Sequence, residues 1–540
     1  MLAPSVLRRS AASAMILENA SDLEAGQFRG SRVVVIGAGA VGLYTANELA
    51  RFGHNVVVIE SGEVPLGSFG PETYESVGAH HEGIRLGRSR ALGGTTNLWG
   101  GQLVEFQPVD FEGRDWIPGS KWPVTHDEIA PYYQRTYENL GIPREAQDDD
   151  HVWRGVQTPR TQLGEGLELF LTRWLKVPSF AVYYAKRIHA PTSPWVLLGH
   201  TAVGFQGASG SVNGVRVLDN EGRPHVVSGD QVILAAGTIE TARLLLHSAD
   251  ASDWECPWRD NALVGRFFQD HIGGKIADVH PQDKRVFFDT FSNMVWSSHK
   301  YQPKWRFANE ELGRARLLST HGMVGFNSSI SENLAYLKQF VKAAIYSRKV
   351  SGVRDFFVNL RACSRYLIPI MMRYVRDHRI FVPGNSTVSL QVQSEQLPLA
   401  DSRVRIDRRA LDANGMPRVI LDWRLSGEEL ESIREFALRS DRALRAAGFA
   451  RLQIDERLLN RDAQFLLTLK DQYHQVGGAI MGWTKRDGVV DRDLRVLGTR
   501  NLYVGGAATF RTCSAANTTL TALAFATRLV DHLRSRREAR

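Results

Sequence analysis

At 540 residues, with 43% hydrophobic and 23% charged side chains, the chain is long enough for two or more domains around a sizeable core. No run of 18 apolar residues occurs, which excludes a spanning helix by hydropathy, and Cys256, Cys363 and Cys513 form no CxxC pair, which excludes structural zinc and a disulfide framework. The formal net charge of +8 comes with no nucleic-acid-binding module, so nucleic acid is not an expected partner; the thiol pattern fits a reducing, cytoplasmic setting.

In chain order, residues 1–30 are small and polar. Their apolar stretch after Arg8-Arg9 is too short and broken for a secretory signal, so they read as a disordered arm. Arg32-Val-Val-Val-Ile-Gly-Ala-Gly-Ala-Val-Gly-Leu then reads as a buried strand, a glycine turn and a helix, and Val56-Val-Val-Ile-Glu60 as a second parallel strand ending in an acid. Gly37 suits the tight turn, Gly39 lets backbone approach a pyrophosphate, and Gly42 lets the helix pack closely on the sheet. Glu60 lies about twenty residues beyond the first glycine, in reach of a ribose hydroxyl pair. An acid there disfavours a 2′-phosphate, leaving FAD or NAD.

Arg90 to Gly101 packs four glycines around Trp99, either a backbone stretch lying along a planar ring or a compact Ω-loop. Val232 to Leu246 repeats the strand, glycine and helix pattern, so the nucleotide fold resumes after an excursion. Ser331 to Ile380 holds ten basic residues and three acids, and reads as two helices, Asn333 to Val350 and Gly352 to Arg379, broken at Pro369. Such basic amphipathic helices form a lid, or contact a partner or an anionic lipid surface. Near the end, His474 precedes Gly477-Gly478, Asn501 to Ala508 forms a strand ending in glycines, Asn517 follows His474 by 43 residues, and Thr519 to Leu533 closes the chain as a helix.

Gly37 to Gly42, Gly93 to Gly101, Ala235 to Thr241, His474 to Gly482 and Asn501 to Thr521 together resemble the glucose-methanol-choline (GMC) family of FAD oxidoreductases, in order and spacing, from about residue 31 onward. The pairing of His474 with Asn517 is similar to the pyranose oxidase and sugar dehydrogenase side of that family. The resemblance implies an α/β, two-domain flavoprotein: a discontinuous Rossmann-like FAD-binding domain, and a substrate domain with a β-sheet over the flavin and a helical insert. The expected organisation is an arm at 1–30, the first part of the FAD-binding domain at 31–273, a substrate domain at 274–470 with the insert at 331–380, and a catalytic segment returning to the FAD-binding domain at 471–540.

Carried over residue by residue, the resemblance implies that Gly37, Gly39 and Gly42 cradle the pyrophosphate and Glu60 binds the ribose. Gly94, Thr95 and Trp99 lie along the flavin, Gly506 and Ala507 meet its pyrimidine edge, His474 is the base and Asn517 its partner. Leu98 stands where some relatives attach FAD through a histidine, so non-covalent FAD is expected. Ile480 and Thr518 replace an arginine and a proline of the family pattern. Gly100 replaces a threonine that supports reaction with oxygen in some sugar oxidases, which leans the chain towards a dehydrogenase.

The expected reaction is oxidation of an alcohol, foremost a secondary sugar or glycoside hydroxyl, to the ketone or lactone, with oxygen, a quinone or a protein as acceptor. Polar residues in Gly274 to Phe326 and in Gln391 to Gln396 either shape a sugar pocket or serve sheet packing. A homo-oligomer and a peripheral contact through 331–380 remain open. The rival readings are oxidation of a non-sugar alcohol, a NAD-linked dehydrogenase, and a flavin-binding docking subunit.

Overall fold

The β-branched run Arg32–Ile36 and its parallel neighbour Asn55–Glu60 are buried at nearly every position, the pattern of strands covered on both faces. The computed structural model describes residues 16–17, 32–63, 74–158, 160–185, 187, 193–251, 254–328, 330–337, 340 and 352–538. In it these two strands are central to a six-stranded sheet in spatial order Ile16–Leu17, Trp195–Leu198, Asn55–Glu60, Arg32–Ile36, Gln231–Leu234 and Leu502–Val504, every adjoining pair parallel. Six short segments from distant parts of the chain thus make one Rossmann-like sheet. Of the expected disordered arm, Ile16 and Leu17 instead add an edge strand, because the backbone at 196–197 offers them a parallel ladder; residues 1–15 and 18–30 lie outside the described residues.

The second domain rests on a nine-stranded sheet. Its main path runs Ala450–Ile454, Ile272–Pro281, Thr387–Ser394, Thr320–Asn327, His299–Phe307, Leu167–Trp174 and Gln102–Leu103, antiparallel throughout. The Glu429–Ala446 helix covers this sheet, stacking Phe436 on Trp305, whose indole N–H donates to Ser440 Oγ at 2.9 Å. Burying that aromatic pair satisfies its one polar atom, so the core carries no unmet donor there.

The closing helix, Thr518–Glu538, packs against two others through buried hydroxyls. Thr527 Oγ1 meets Tyr44 on the Ala40–Arg51 helix at 2.7 Å, and Thr521 Oγ1 meets Tyr133 on His126–Asn139 at 2.8 Å. This clamp fixes where the helix begins, and therefore where Asn517 stands.

In the basic insert, residues 331–337 and 340 are helical, while 338–339 and 341–351 lie outside the described residues. Val353–Cys363 and Leu367–Val375 follow as helices separated by a 3₁₀ turn at Ser364–Tyr366. The break thus precedes Pro369, which sits in the first turn of the second helix. A proline is accommodated there because first-turn N–H groups have no intrahelical acceptor to lose. Cys256, Cys363 and Cys513 are buried and unlinked.

Candidate active site

The residues singled out from sequence converge on one cavity of about 600 Å³. Gly37, Gly39, Glu60, Gly94, Thr95, Trp99, His474, Gly506, Ala507 and Asn517 all line it. Gly42 does not. It lies behind the turn, where any side chain would overlap the Gly37 carbonyl, so its role is to let helix and strand pack together.

At the nucleotide end, the Ala40–Arg51 helix starts after Gly39 with no side chain capping its first amides, and no atom lies within 4 Å of the face where Gly39 lacks a Cβ. Uncapped amides at a helix start attract phosphate. Glu60 is buried, and its carboxylate accepts from the backbone N–H groups of Ala38 at 2.8 Å and Gly62 at 2.9 Å. Burial raises its pKa, yet each oxygen keeps a lone pair for a ribose hydroxyl. These features, at Gly37, Gly39 and Glu60, fit the adenosine half of FAD. Trp99 is fixed by its indole N–H donating to Pro178 O at 2.8 Å, and Leu98 beside it is 50% exposed and offers no nucleophile. At Gly100, any Cβ would run into the ring of Trp174.

At the other end, local backbone clamps place His474. Val476 and Gln269 exchange two backbone hydrogen bonds, at 2.9 and 3.0 Å, and a Cβ at Gly477 would overlap the Phe267 carbonyl, so the loop lies tight against 267–271. Asp270 Oδ1 accepts the His474 backbone N–H at 2.8 Å, and its other oxygen meets His81 Nε2 at 3.1 Å. Burial alone would raise the Asp270 carboxyl; the His81 hydrogen bond and nearby imidazoles hold it below its usual value instead. Asp471 completes this buried group, with both oxygens taken by the N–H groups of Glu82 and Gly83.

The decisive geometry is a chain of hydrogen bonds through two imidazoles. His271 Nε2 faces the Cys513 carbonyl at 2.9 Å and must donate to it. Burial lowers the pKa of His271, so the ring is neutral and its Nδ1 is a bare acceptor. That Nδ1 receives Gln393 Nε2 and His474 Nδ1, each at 2.9 Å, so His474 carries its proton on Nδ1. Burial, then His271 and Lys304, push the pKa of His474 down to about 3, so this ring is neutral as well. Its Nε2 is therefore an unprotonated lone pair, which Asn517 Nδ2 meets at 2.9 Å. Asn517 Oδ1 is buried without a partner. A bare base, a donor and an unused acceptor face one cavity.

Three positions that the sequence patterns did not flag belong to this arrangement. His271 and Asp270 stand just before the Ile272–Pro281 strand, and an ionisable pair at the mouth of a buried strand is the signal that marks them. Lys304 is buried, its pKa pushed down by burial to about 7, with Nζ at 3.1 Å from His321 Nε2 and donating to Gln102 Oε1 at 3.3 Å. Gln102 lines the cavity and also donates to Thr172 and Gln302. Of the two readings of Gly274 to Phe326 and Gln391 to Gln396, pocket wall or sheet packing, the structure favours packing, since none of them lines the cavity. Gln393 braces His271, and Gln396 accepts from the Asp270 backbone N–H at 3.1 Å and the Trp423 indole at 2.8 Å.

Residues 32–252 match the FAD dependent oxidoreductase family and residues 398–526 the GMC oxidoreductase family. Among characterised proteins, the chain is 23% identical to 2-methyl-1,2-propanediol dehydrogenase of Mycolicibacterium austroafricanum, over 82% of this chain and 81% of that one. It is 20% identical to the fructose dehydrogenase large subunit of Gluconobacter japonicus, over 92% and 97%. The fold is that of pyridoxine 4-oxidase from Mesorbium loti, with a TM-score of 0.57 at 16% identity, covering 93% of this chain and 99% of that one.

Proposed function

We propose that this chain, a GMC-type, FAD-dependent oxidoreductase by its matches at residues 398–526 and 32–252, oxidises a secondary hydroxyl of a sugar or glycoside to the ketone or lactone, with His474 as proton acceptor and Asn517 as its partner. The observation that carries this reading is the bare Nε2 of His474 facing Asn517 in the cavity that also contains the nucleotide turn. Bound FAD supplies the acceptor for the hydride. His474 Nε2 takes the hydroxyl proton, for which it must lie within hydrogen-bond reach of that oxygen. Asn517 Nδ2 turns from the imidazole to the same oxygen and stabilises the charge that develops there, while Oδ1 accepts from a neighbouring hydroxyl. His271 acts through His474, keeping the proton on Nδ1 both before and after Nε2 is protonated. Asp270, anionic beside the ring, favours the imidazolium.

Support for a polyol substrate comes from Gln102, Gln472, Gln475, Thr95 and Thr519 in the lining, and from the sugar named for the Gluconobacter relative. We assign reoxidation to a quinone-like or protein acceptor, on the steric closure of Gly100 by Trp174, and place the enzyme in a reducing compartment on its unlinked thiols. The test is a panel of sugars, glycosides and small alcohols read by anaerobic bleaching of the flavin band. Rapid bleaching by simple alcohols alone would sink the sugar assignment.

Two further outcomes are expected. With Leu98 beside Trp99, acid precipitation leaves the yellow chromophore in the supernatant; colour retained in the pellet would show a covalent bond. The second concerns pH. His474, at about 3, contributes no limb near the ordinary imidazole value, whereas Lys304 titrates near 7. Below that pH the ammonium opposes formation of the imidazolium, so flavin reduction speeds up as pH rises through about 7, and Lys304→Met removes the limb. The unfolded chain holds the Lys304 proton up to pH about 10. Native stability therefore falls as pH drops from about 10 to about 7, a slope that Lys304→Met also loses.

A further inference from the structure

Nineteen large apolar residues are exposed among those described, and ten of them fall between Val353 and Ile380. Scattered apolar exposure is ordinary, but clustering on this scale marks a surface that meets something. On the Leu367–Val375 helix the exposed members are Leu367, Ile368, Met371, Met372, Tyr374 and Val375. At about 100° per residue they share one arc of about 160°. Arg373 lies off that arc and is turned to the protein, paired with Asp289 at 2.6 Å and Asp377 at 2.9 Å. A helix packed on its own core does the reverse, burying the apolar stripe and showing the charge.

The neighbouring Val353–Cys363 helix adds cations to the same surface. Arg354 and Arg361 are seven residues apart and so lie on one face, between exposed Val353, Phe357 and Val358. Among the described residues neither they nor Arg365 has a carboxylate partner, in a stretch, Val353 to Ile380, that holds six arginines to two aspartates. An unpaired arginine beside an exposed apolar side chain suits a boundary with phosphate above and hydrocarbon below.

We propose that Val353–Val375 is a docking surface for an anionic lipid bilayer, with the apolar arc in the headgroup and acyl boundary and Arg354, Arg361 and Arg365 on lipid phosphates. Charge complementarity selects this occupant, since a second copy would bring two sets of unpaired arginines face to face. Attachment is peripheral, because no helix among the described residues is long and apolar enough to cross a membrane. The proposal does not depend on which alcohol is oxidised.

The test is flotation of the FAD-loaded, full-length protein with vesicles of phosphatidylcholine containing phosphatidylglycerol, beside vesicles of phosphatidylcholine alone. Binding to the anionic vesicles is expected to be at least about tenfold tighter, and to weaken with salt. Replacing the three arginines by glutamine should weaken it about 100-fold, at about fivefold each, and Ile368→Ser with Val375→Ser by more than about tenfold. Both variants should keep the visible flavin spectrum and melting temperature, since none of the five side chains contacts the cavity. Equal binding to both vesicle types, or native-like binding by either variant, overturns the proposal. So does a native dimer that ignores vesicles and that Ile368→Ser with Val375→Ser converts to a monomer.

Discussion

Replacing His474 by glutamine is expected to slow anaerobic flavin reduction by about 10² to 10⁴, while the flavin spectrum and the substrate concentration at half saturation change little. Glutamine has nearly the reach of the imidazole and still offers Asn517 a hydrogen bond. What it lacks is a basic lone pair. The imidazole holds that lone pair at Nε2 because the Cys513 carbonyl fixes the proton of His271, and His271 in turn fixes the proton of His474. Stopped-flow reduction by the best substrate of the panel reads the effect directly. A variant that reduces its flavin at the native rate would remove His474 from the chemistry. The low pKa has a matching consequence, since a neutral, desolvated base needs no proton removed before it acts, and the native enzyme should keep this step down to pH about 4, apart from the limb assigned to Lys304.

Asn517→Leu is expected to lower the same rate by about 10² to 10³, the range found when a donor aimed at a developing oxyanion is lost. The leucine fills the volume but offers neither the Nδ2 donor, at 2.9 Å from His474 Nε2, nor the buried, unpartnered Oδ1. Asn517→His restores an N–H donor at the same place and should recover most of the loss. The pair of variants separates hydrogen bonding from packing, because a purely structural asparagine would be rescued no better by histidine than by leucine. Reduction rates of both, measured with saturating substrate, decide it.

The sequence was most informative where a function is written in consecutive residues. Arg32 to Glu60 announces strand, turn, helix, strand and acid because each step has its own local rule, and the sheet follows that order. His474 and Asn517 stand out by the glycines around one and the motif around the other, and their side chains meet in the cavity. His271 was not, although it sets the tautomer of His474, because the link is a contact across 203 positions with no periodicity to betray it. Lys304 alternates like any polar residue of a strand; unlike Lys300, Gln302 and Arg306 on the same face it is buried, and that burial pushes its pKa down to about 7. The glutamines of 391–396 misled in the opposite sense. Their polarity suits a substrate wall as well as sheet packing, yet buried backbone groups at Asp270 and Ala515 need partners, and Gln396 and Gln393 supply them. In the insert, amphipathic spacing revealed the helices but not which side faces outward, since periodicity carries no sign.

The closure of Gly100 by Trp174 also bears on how this enzyme can change. A side chain at Gly100 has no free space until the indole moves, and the Trp174 ring is itself capped by Lys300 Nζ at 3.8 Å from its centre. Gly100→Thr alone should therefore unfold the loop or lose FAD, whereas the same change made with Trp174→Ala should be tolerated and reveal what the hydroxyl does to oxygen reactivity. Melting temperature and flavin content of the single and double variants read this non-additivity. For a laboratory lineage moving from one electron acceptor to another, the order of steps is then fixed: the tryptophan must go first, and the path through the threonine alone is closed.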